Sequence, residues 1–249
     1  MTTDDTDGER PTTTRRNHLI TGGIVLAIFV VAGILFARSV SRVREAVMRS
    51  VDTSHLKQLG LAQHTFAEYT RSGLVGPYAF ENGAVNQGHS FRVSLLPYIE
   101  QGTVHRLIDL QQPWDSARNA PVTSVAIKNL QSPDTRDATK PDTPYRVFYG
   151  GGALFAADGT PVKLTDIPDG ASSTILFVHA TETVPWAKPQ EFAYTPTTPL
   201  PPLGSPGLSK GGFNAAMADG SVRYVRNNIA EADLRSLIEK ADGRGRDTE

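Results

Sequence analysis

The stretch "GFNAAMADGSVRYV", residues 212–225, predicts two antiparallel strands that meet at an Asp-Gly pair. Apolar side chains alternate on both sides of the pair, as they do in half-buried strands. Asp-Gly between two such runs is the strongest short-range hairpin signal, because a type I′ turn holds both of its central residues at positive φ. We therefore expect Asp219 and Gly220 to build a turn and to carry no chemistry.

A near copy of this unit, "FAADGTPVKL", occupies residues 155–164 and predicts a second hairpin at Asp158 and Gly159. Asp169 and Gly170 precede a further strand-like run and predict a third turn. The alternative for each pair is a calcium loop, which needs several oxygen ligands at close spacing, as in D-x-D-x-D-G. None of the three stretches has that spacing, so we expect structural turns.

Alternating runs elsewhere predict further short strands, which together with the helical segments indicate the α+β class. The runs are "YRVFYGGGALFA", "VKLTDI" and "STILFVHA". Seven prolines fall within residues 185–206, where they exclude a central strand, because proline cannot donate to a strand ladder. We expect this proline-rich loop to lie over the head, with binding of an extracellular polymer such as a carbohydrate as the alternative.

Residues 19–37, "LITGGIVLAIFVVAGILFA", form a run of 19 residues without a charge. As a helix with a rise of about 1.5 Å per residue, this run nearly crosses the hydrocarbon core of a bilayer. We therefore predict a transmembrane helix over residues 18–38, with the lipid bilayer as its partner. The alternatives are a buried helix of a soluble protein and a cleaved signal peptide, although no A-x-A site follows the run.

The segments on either side of this span differ in character. Residues 1–17 are polar and predict a disordered tail, and residues 244–249 form a short polar tail. Residues 39–243 are the predicted head, which begins with an amphipathic stretch where valines recur at every fourth residue from Val43. The expected architecture is a transmembrane helix that continues into a long amphipathic helix packed on an antiparallel sheet.

The composition and the absence of local motifs exclude several classes of protein. The formal net charge of -1 argues against nucleic-acid binding, which needs a basic face. The chain has no cysteine, and its six histidines form no H-x-x-x-H pair. Neither G-x-S-x-G, a P-loop nor G-x-G-x-x-G occurs. We expect no metal, cofactor or enzymatic activity, with a hydrolase whose catalytic residues meet only in space as the alternative.

Several stretches, taken in order, resemble the large bacterial family called domain of unknown function 1559. They are "HLKQLGLAQHTF", "SLLPYIEQG", "QPWD", "LTDIPDGASSTIL", "VPWAKPQEF" and "GGFNAAMADGSVRYV". The resemblance covers about residues 38–243 and implies a pilin-like or pseudopilin-like protein, with an N-terminal membrane helix and an exported α+β head. It places the head outside the cytoplasmic membrane, against the arginines after the span, which favour a cytoplasmic head.

The chain departs from the family pattern in several places. "RRNHLITGG" lacks the prepilin cleavage signature and its glutamate, so we expect the helix to be retained as a plain anchor. Ser209 stands ten residues before Asp219, where the family's C-terminal signature has a histidine. His179 replaces the glutamate that usually closes the preceding strand. Asp52 and, approximately, Ser132 stand where paired cysteines often occur, so that staple is absent.

These features together predict a structural or interaction protein of the cell envelope. We expect a single pass through the cytoplasmic membrane and an extracytoplasmic head. Its partners would be envelope proteins or further copies of the chain, beside a type II secretion or type IV pilus-like system.

Overall fold

The computed structural model describes residues 12–205, 207 and 211–243, without the side chains of residues 12–30 and 37. The chain divides into two compact units, Met1–Glu45 and Ala46–Glu249. Helix α1 runs from Thr12 to Thr70 and supplies the described part of the first unit. Residues 12–17 are therefore helical where the sequence predicted a disordered tail, because helix propagates readily through a segment without glycine or proline. Residues 1–11 of that tail lie outside the described residues.

In the described part of the chain, no helix combines the length and the apolar character needed to cross a membrane. The side chains of residues 19–30, which make up most of the predicted span, lie outside the described part.

The second unit contains the C-terminal part of α1, from Ala46, and the short helices and strands that follow it. The strands are β1 (Tyr78–Glu81), β2 (Ala84–Ser90), β3 (Asp142–Arg146), β4 (Phe148–Tyr149), β5 (Ile175–Pro185), β6 (Phe192–Ala193), β7 (Gly212–Met217) and β8 (Val222–Arg226). The helices are α2 (Phe91–Leu95), α3 (Gly102–Leu107), α4 (Ala120–Thr123) and α5 (Glu231–Ile238), with 3₁₀ turns at Leu96–Ile99, Lys128–Leu130 and Leu164–Asp166. The last of these turns lies in "VKLTDI", which is therefore not the strand that its alternation predicted; its Val162 forms a single bridge with Leu74.

The main sheet has four antiparallel strands in the order β3-β5-β7-β8. Strands β1 and β2 form a separate antiparallel hairpin, and β4 pairs with β6 in parallel. The predicted α+β class with an antiparallel sheet is confirmed.

The main sheet carries an apolar cluster on each face. On one face, Leu56 and Phe66 of α1 are buried in the same cluster as Phe177 of β5. On the other, Ile238 of α5 is buried with Val178 of β5. Consecutive residues of a strand point to opposite faces, so α1 and α5 cover opposite sides of the sheet. The C-terminal part of α1 thus packs on the sheet as predicted, whereas Val43, Val47 and Val51 of the predicted stripe are exposed.

The proline-rich segment covers the head as expected. Trp186 is fully buried, and its indole Nε1 donates to the carbonyl of Val125 at 2.9 Å. Further along, Leu203 forms a bridge with Ala180, and the Gly204 amide donates to the carbonyl of His179 at 2.7 Å. The end of the segment therefore satisfies backbone groups of β5 beyond the reach of β7. Because Trp186 is enclosed, it offers no exposed ring on which a sugar could stack.

The turn at Asp219 and Gly220 joins β7 to β8, but it is not a type I′ turn. Gly220 has a φ of +84°, whereas the described non-glycine residues with positive φ are Arg71, Asn82 and Glu100. The Gly220 amide donates to Met217 at 2.9 Å, and the Met217 amide donates to Ser221 at 2.8 Å. This is a three-residue loop, a type I turn followed by a left-handed glycine, so positive φ is needed at the glycine alone.

The turns at Asp158 and Asp169 also form, each with a different consequence. Gly159 and Gly170 have φ values of +80° and +93°. The flanks of Asp158 pair elsewhere, so it makes a turn but not the predicted hairpin. Asp169 accepts hydrogen bonds from the backbone amides of Asp242 at 2.6 Å and Gly243 at 3.0 Å, and so also holds the end of the described chain.

Candidate functional site

A row of polar residues crosses three neighbouring strands of the sheet beneath α1. Tyr145 of β3 and His179 of β5 are cross-strand partners, and Asn214 lies on β7, the next strand. Asp52 of α1 reaches all three side chains. We call these four residues the Asp52 junction.

The carboxylate of Asp52 accepts three hydrogen bonds. His179 Nδ1 lies 2.7 Å from Oδ1, and the Tyr145 hydroxyl donates to the same oxygen at 2.8 Å. Asn214 Nδ2 donates to Oδ2 at 2.7 Å. All four residues are buried, with at most 5% of their surface exposed. The junction therefore satisfies a charged group in the interior, where an unpaired carboxylate would be very costly.

These contacts determine the ionisation of the junction. Burial raises the pKa of Asp52, but the hydrogen bond and charge of His179, with the bonds from Asn214 and Tyr145, outweigh it and hold the pKa below its ordinary value. Burial and the negative charge of Asp52 raise the pKa of Tyr145 well above its ordinary value. Asp52 is therefore a carboxylate, and Tyr145 remains a hydroxyl donor at neutral pH.

The other side of His179 faces Ser132, whose Oγ lies 3.5 Å from Nε2. Ser132 donates its hydroxyl proton to Asp134, which also accepts from Ser205 at the end of the proline-rich segment. A serine oxygen whose proton is committed to Asp134 can only accept from His179.

Asp52, His179 and Ser132 follow each other in the order of a serine-hydrolase relay, but their hydrogen bonds have the pattern of a structural contact. In a relay, the serine donates to Nε2 and the histidine acts as a base. Here the serine donates to Asp134 instead. The arrangement as it stands holds α1 to the sheet rather than preparing a nucleophile.

His55, one turn after Asp52 on α1, borders the junction. Its Nδ1 lies 3.2 Å from the carbonyl of Gln131 and 3.3 Å from the Tyr145 hydroxyl. Burial lowers the pKa of His55. His55 and Ser132 also line a cavity of about 580 Å³ whose walls are mainly apolar. The remaining lining comes from Val47, Met48, Val51, Ala126, Lys128, Gln131, Pro133, Thr135 and Ala138.

A second buried charged cluster lies on the far side of Tyr145. Arg92 Nη1 lies 2.8 Å from Glu191, and its Nε donates to the Tyr145 carbonyl at 3.0 Å. Arg146 Nε lies 3.5 Å from the other Glu191 oxygen. Burial raises the pKa of Glu191 against the opposing effect of both arginines. The two cations and one anion are enclosed on all sides, which indicates a structural role.

The structure separates the predicted turn residues from the junction. Asp158 and Asp219 accept backbone amide bonds in their own loops, and Asp169 accepts them from Asp242 and Gly243 at the end of the described chain. Within the described residues, no group of three or more histidine, aspartate or glutamate side chains is placed to hold a metal ion. Ser209, the other departure from the family pattern, lies outside the described residues.

Three positions that the sequence analysis noted only as departures from a family pattern lie together at the junction. Asp52 and His179 belong to it, and Ser132 adjoins it on the other side of His179. Tyr145 and Asn214 were not anticipated. Their alternating positions on strands predict a face, but no local motif indicates that a carboxylate lies opposite.

Comparison with known proteins identifies a family over part of the chain. A family model described as "Protein of unknown function (DUF1559)" matches residues 41–157. The chain resembles DUF1559 over just under half of its length. The DUF1559 match includes Asp52, Ser132 and Tyr145 of the site, whereas His179 and Asn214 lie beyond it. No curated protein and no solved structure matches the chain.

Proposed function

We propose that the chain is a single-pass, membrane-anchored structural and interaction protein whose head lies outside the cytoplasmic membrane. The observation that carries the proposal is the apolar surface of α1. Leu35 is 58% exposed and Phe36 is 72% exposed, and Val31 and Ile34 are also about half exposed. Contiguous exposed apolar surface of this kind needs a cover.

The cover that fits best is lipid. These exposed residues close the uncharged run of residues 19–37, whose 19 residues approach the length that a bilayer core requires. The resemblance to DUF1559 supports an extracytoplasmic head, and the pilin-like architecture that this resemblance implies supports an association with a type II secretion or type IV pilus-like system. In this role, the Asp52 junction attaches the head firmly to the helix that anchors it.

Membrane fractionation tests the anchor. We expect the full chain to stay in the membrane pellet after carbonate extraction. The double variant Val31→Asp with Ile34→Asp should move to the soluble fraction, because each aspartate costs up to about 3 kcal/mol within a spanning helix. Val47→Asp, beyond the predicted span, is the control and should stay in the pellet. If carbonate extraction moves the wild-type chain to the soluble fraction, the chain has no membrane anchor and the proposal is wrong.

The orientation of the head needs a separate experiment. We expect a phosphatase reporter fused after Glu249 to be active and a fluorescent reporter that folds only in the cytoplasm to be dark. The opposite result would place the head in the cytoplasm, as the arginines after the span favour.

The order Asp52–His179–Ser132 favours a hydrolase as a second candidate. In that case His179 Nε2 would take the Ser132 proton while Oγ attacks an acyl carbon, and Asp52 would stabilise the imidazolium. A fluorophosphonate probe distinguishes the two functions. We expect no labelling of Ser132, because its proton is held by Asp134; labelling that Ser132→Ala abolishes would establish the hydrolase instead.

A further inference from the structure

The outer edge of β8 is open. β8 is the last strand in the order β3-β5-β7-β8. The hydrogen-bonded pairs along the β7–β8 ladder alternate from Met217 and Ser221, so the backbone groups of Val222, Tyr224 and Arg226 point away from β7. The Arg226 carbonyl already accepts from the Ile229 amide at 3.1 Å, which leaves the groups of Val222 and Tyr224 and the Arg226 amide. In the described part of the chain, no strand pairs with this edge.

Two cations flank the open edge. Arg223 and Arg226 are both exposed, and neither guanidinium has an ion pair or hydrogen bond with any described residue. Exposed charges on an edge strand normally prevent pairing between identical chains, because like charges then face each other. The same charges make the edge selective for a strand with negatively charged side chains.

A groove beside the edge offers room for side chains of such a strand. It has a volume of about 450 Å³ and lies between β8 and α5. Ile229 and Leu237 supply apolar surface, and Asp233 is the carboxylate in the lining. With Arg223 and Arg226, the lining keeps an excess of one positive charge.

From these features we propose that β8 binds an extended acidic segment of a partner protein, which adds a fifth strand to the main sheet. The partner's backbone pairs with Val222 and Tyr224 and with the amide of Arg226. Two acidic residues three positions apart face Arg223 and Arg226, and an apolar residue between them enters the groove. The proposal rests on the interaction role given above but not on the membrane anchor, so a failed fractionation experiment leaves it standing.

The test uses the full chain in detergent micelles and capped synthetic octapeptides followed by fluorescence anisotropy. The probe has two glutamates three positions apart in a background of threonine and valine. One comparison peptide carries lysines in place of the glutamates, and another is N-methylated at alternate residues to block strand pairing. We expect the acidic peptide to bind at least about tenfold more tightly than either comparison peptide, since both charge and backbone pairing contribute.

Charge reversal locates the site. Arg223→Glu with Arg226→Glu should weaken the acidic peptide at least about tenfold and strengthen the lysine peptide. The control, Arg118→Glu with Arg136→Glu, makes the same change in net charge at exposed arginines elsewhere and should leave both affinities unchanged. Circular dichroism and thermal melting establish that each variant is folded.

Three results would overturn the proposal. Equal binding of the N-methylated peptide would mean that charge alone acts, as for an anionic polymer. Equal effects of the two charge reversals would place the site elsewhere. If the chain self-associates in sedimentation and the reversal of Arg223 and Arg226 changes this association, a second copy of the chain occupies the β8 edge instead.

Discussion

Asp52 of α1 and His179 of β5 are separated by 127 residues, yet the carboxylate and the imidazole lie 2.7 Å apart in the interior. The pair connects the long helix to the second strand of the main sheet. With the bonds from Tyr145 and Asn214, it joins α1 to the sheet in a chain that has no cysteine for a covalent link.

The first prediction concerns this junction. Asp52→Asn should destabilise the head by about 1–3 kcal/mol, the usual cost of leaving a buried donor without its acceptor. The new amide places an N–H₂ group against the donors of His179 or Asn214, so at least one buried donor loses its acceptor. Urea unfolding monitored by circular dichroism measures the change, with the exposed Asp115→Asn as the control.

A double variant tests whether the carboxylate must stand at position 52 or can stand at position 214. Asp52→Asn combined with Asn214→Asp restores one carboxylate and one amide to the junction. We expect it to recover part of the lost stability. If the double variant is less stable than the sum of the single changes, the carboxylate does not act through Asn214 as the hydrogen bonds indicate.

The second prediction concerns the buried charged cluster. Glu191→Gln leaves Arg92 and Arg146 buried without their counter-charge and should destabilise the head by about 3–5 kcal/mol. The control is Glu231→Gln, which removes the partner of Arg235 in a pair where the glutamate is 68% exposed. We expect no measurable change from the control, and equal effects of the two substitutions would contradict a structural role for Glu191.

The third prediction is a loss of stability at acid pH through His89. This residue is fully buried, and neither ring nitrogen has a hydrogen-bond partner among the described residues. Burial lowers the pKa of His89 against the smaller effects of Glu81 and Asp109. The unfolded chain therefore binds more protons below an ordinary pKa of about 6.5, and stability falls as the pH drops from that value through the folded-state pKa.

The measurement is the unfolding free energy from urea titrations between pH 8 and pH 5. His89→Leu cannot be protonated, so its stability should decline less steeply with falling pH than that of the wild type. His55 contributes in the same direction, because burial lowers its pKa as well. If the unfolding free energy of His89→Leu and of the wild type falls equally steeply with pH, the acid sensitivity does not come from His89.

The fourth prediction concerns the turn that joins β7 to β8. Gly220→Val should cost about 1–3 kcal/mol, because a β-branched residue is strained at a φ of +84°. A Cβ at this position would also lie 3.4 Å from the ring of His64, in ordinary contact, so the backbone rather than crowding sets the cost. Asp219→Asn should change stability very little. The Ser221 amide donates to the Asp219 carboxylate at 2.8 Å, and an amide oxygen at this position can accept the same bond.

Thermal melting of the full chain in detergent provides the comparison. Gly170→Val is a useful second variant, since Gly170 has a φ of +93° and open space around its Cα. Similar losses at Gly220 and Gly170 would assign the cost to backbone strain. A loss of peptide or partner binding in Asp219→Asn without a change in melting temperature would mean that the aspartate carries chemistry after all.

Local patterns in the sequence were sufficient for the elements whose stability is local. The alternation in residues 212–225 predicts β7, β8 and the turn between them, because strand faces and left-handed glycines depend on neighbouring residues. The valine spacing predicts helix in this part of α1 for the same reason, but Val43 and Val47 are exposed and do not mark its buried face. "VKLTDI" shows the limit of such patterns: it alternates like a strand, but only Val162 finds a partner across the chain.

Only the tertiary structure decides the turn type, the open edge of β8 and the Asp52 junction. Asp52, Ser132 and His179 stand out singly in the sequence, and nothing local places them together. Tyr145 and Asn214 join them because the strand order brings β3, β5 and β7 side by side beneath α1. A buried carboxylate is stable only where several donors converge on it, and that convergence depends on strand pairing and helix packing between residues far apart in the chain.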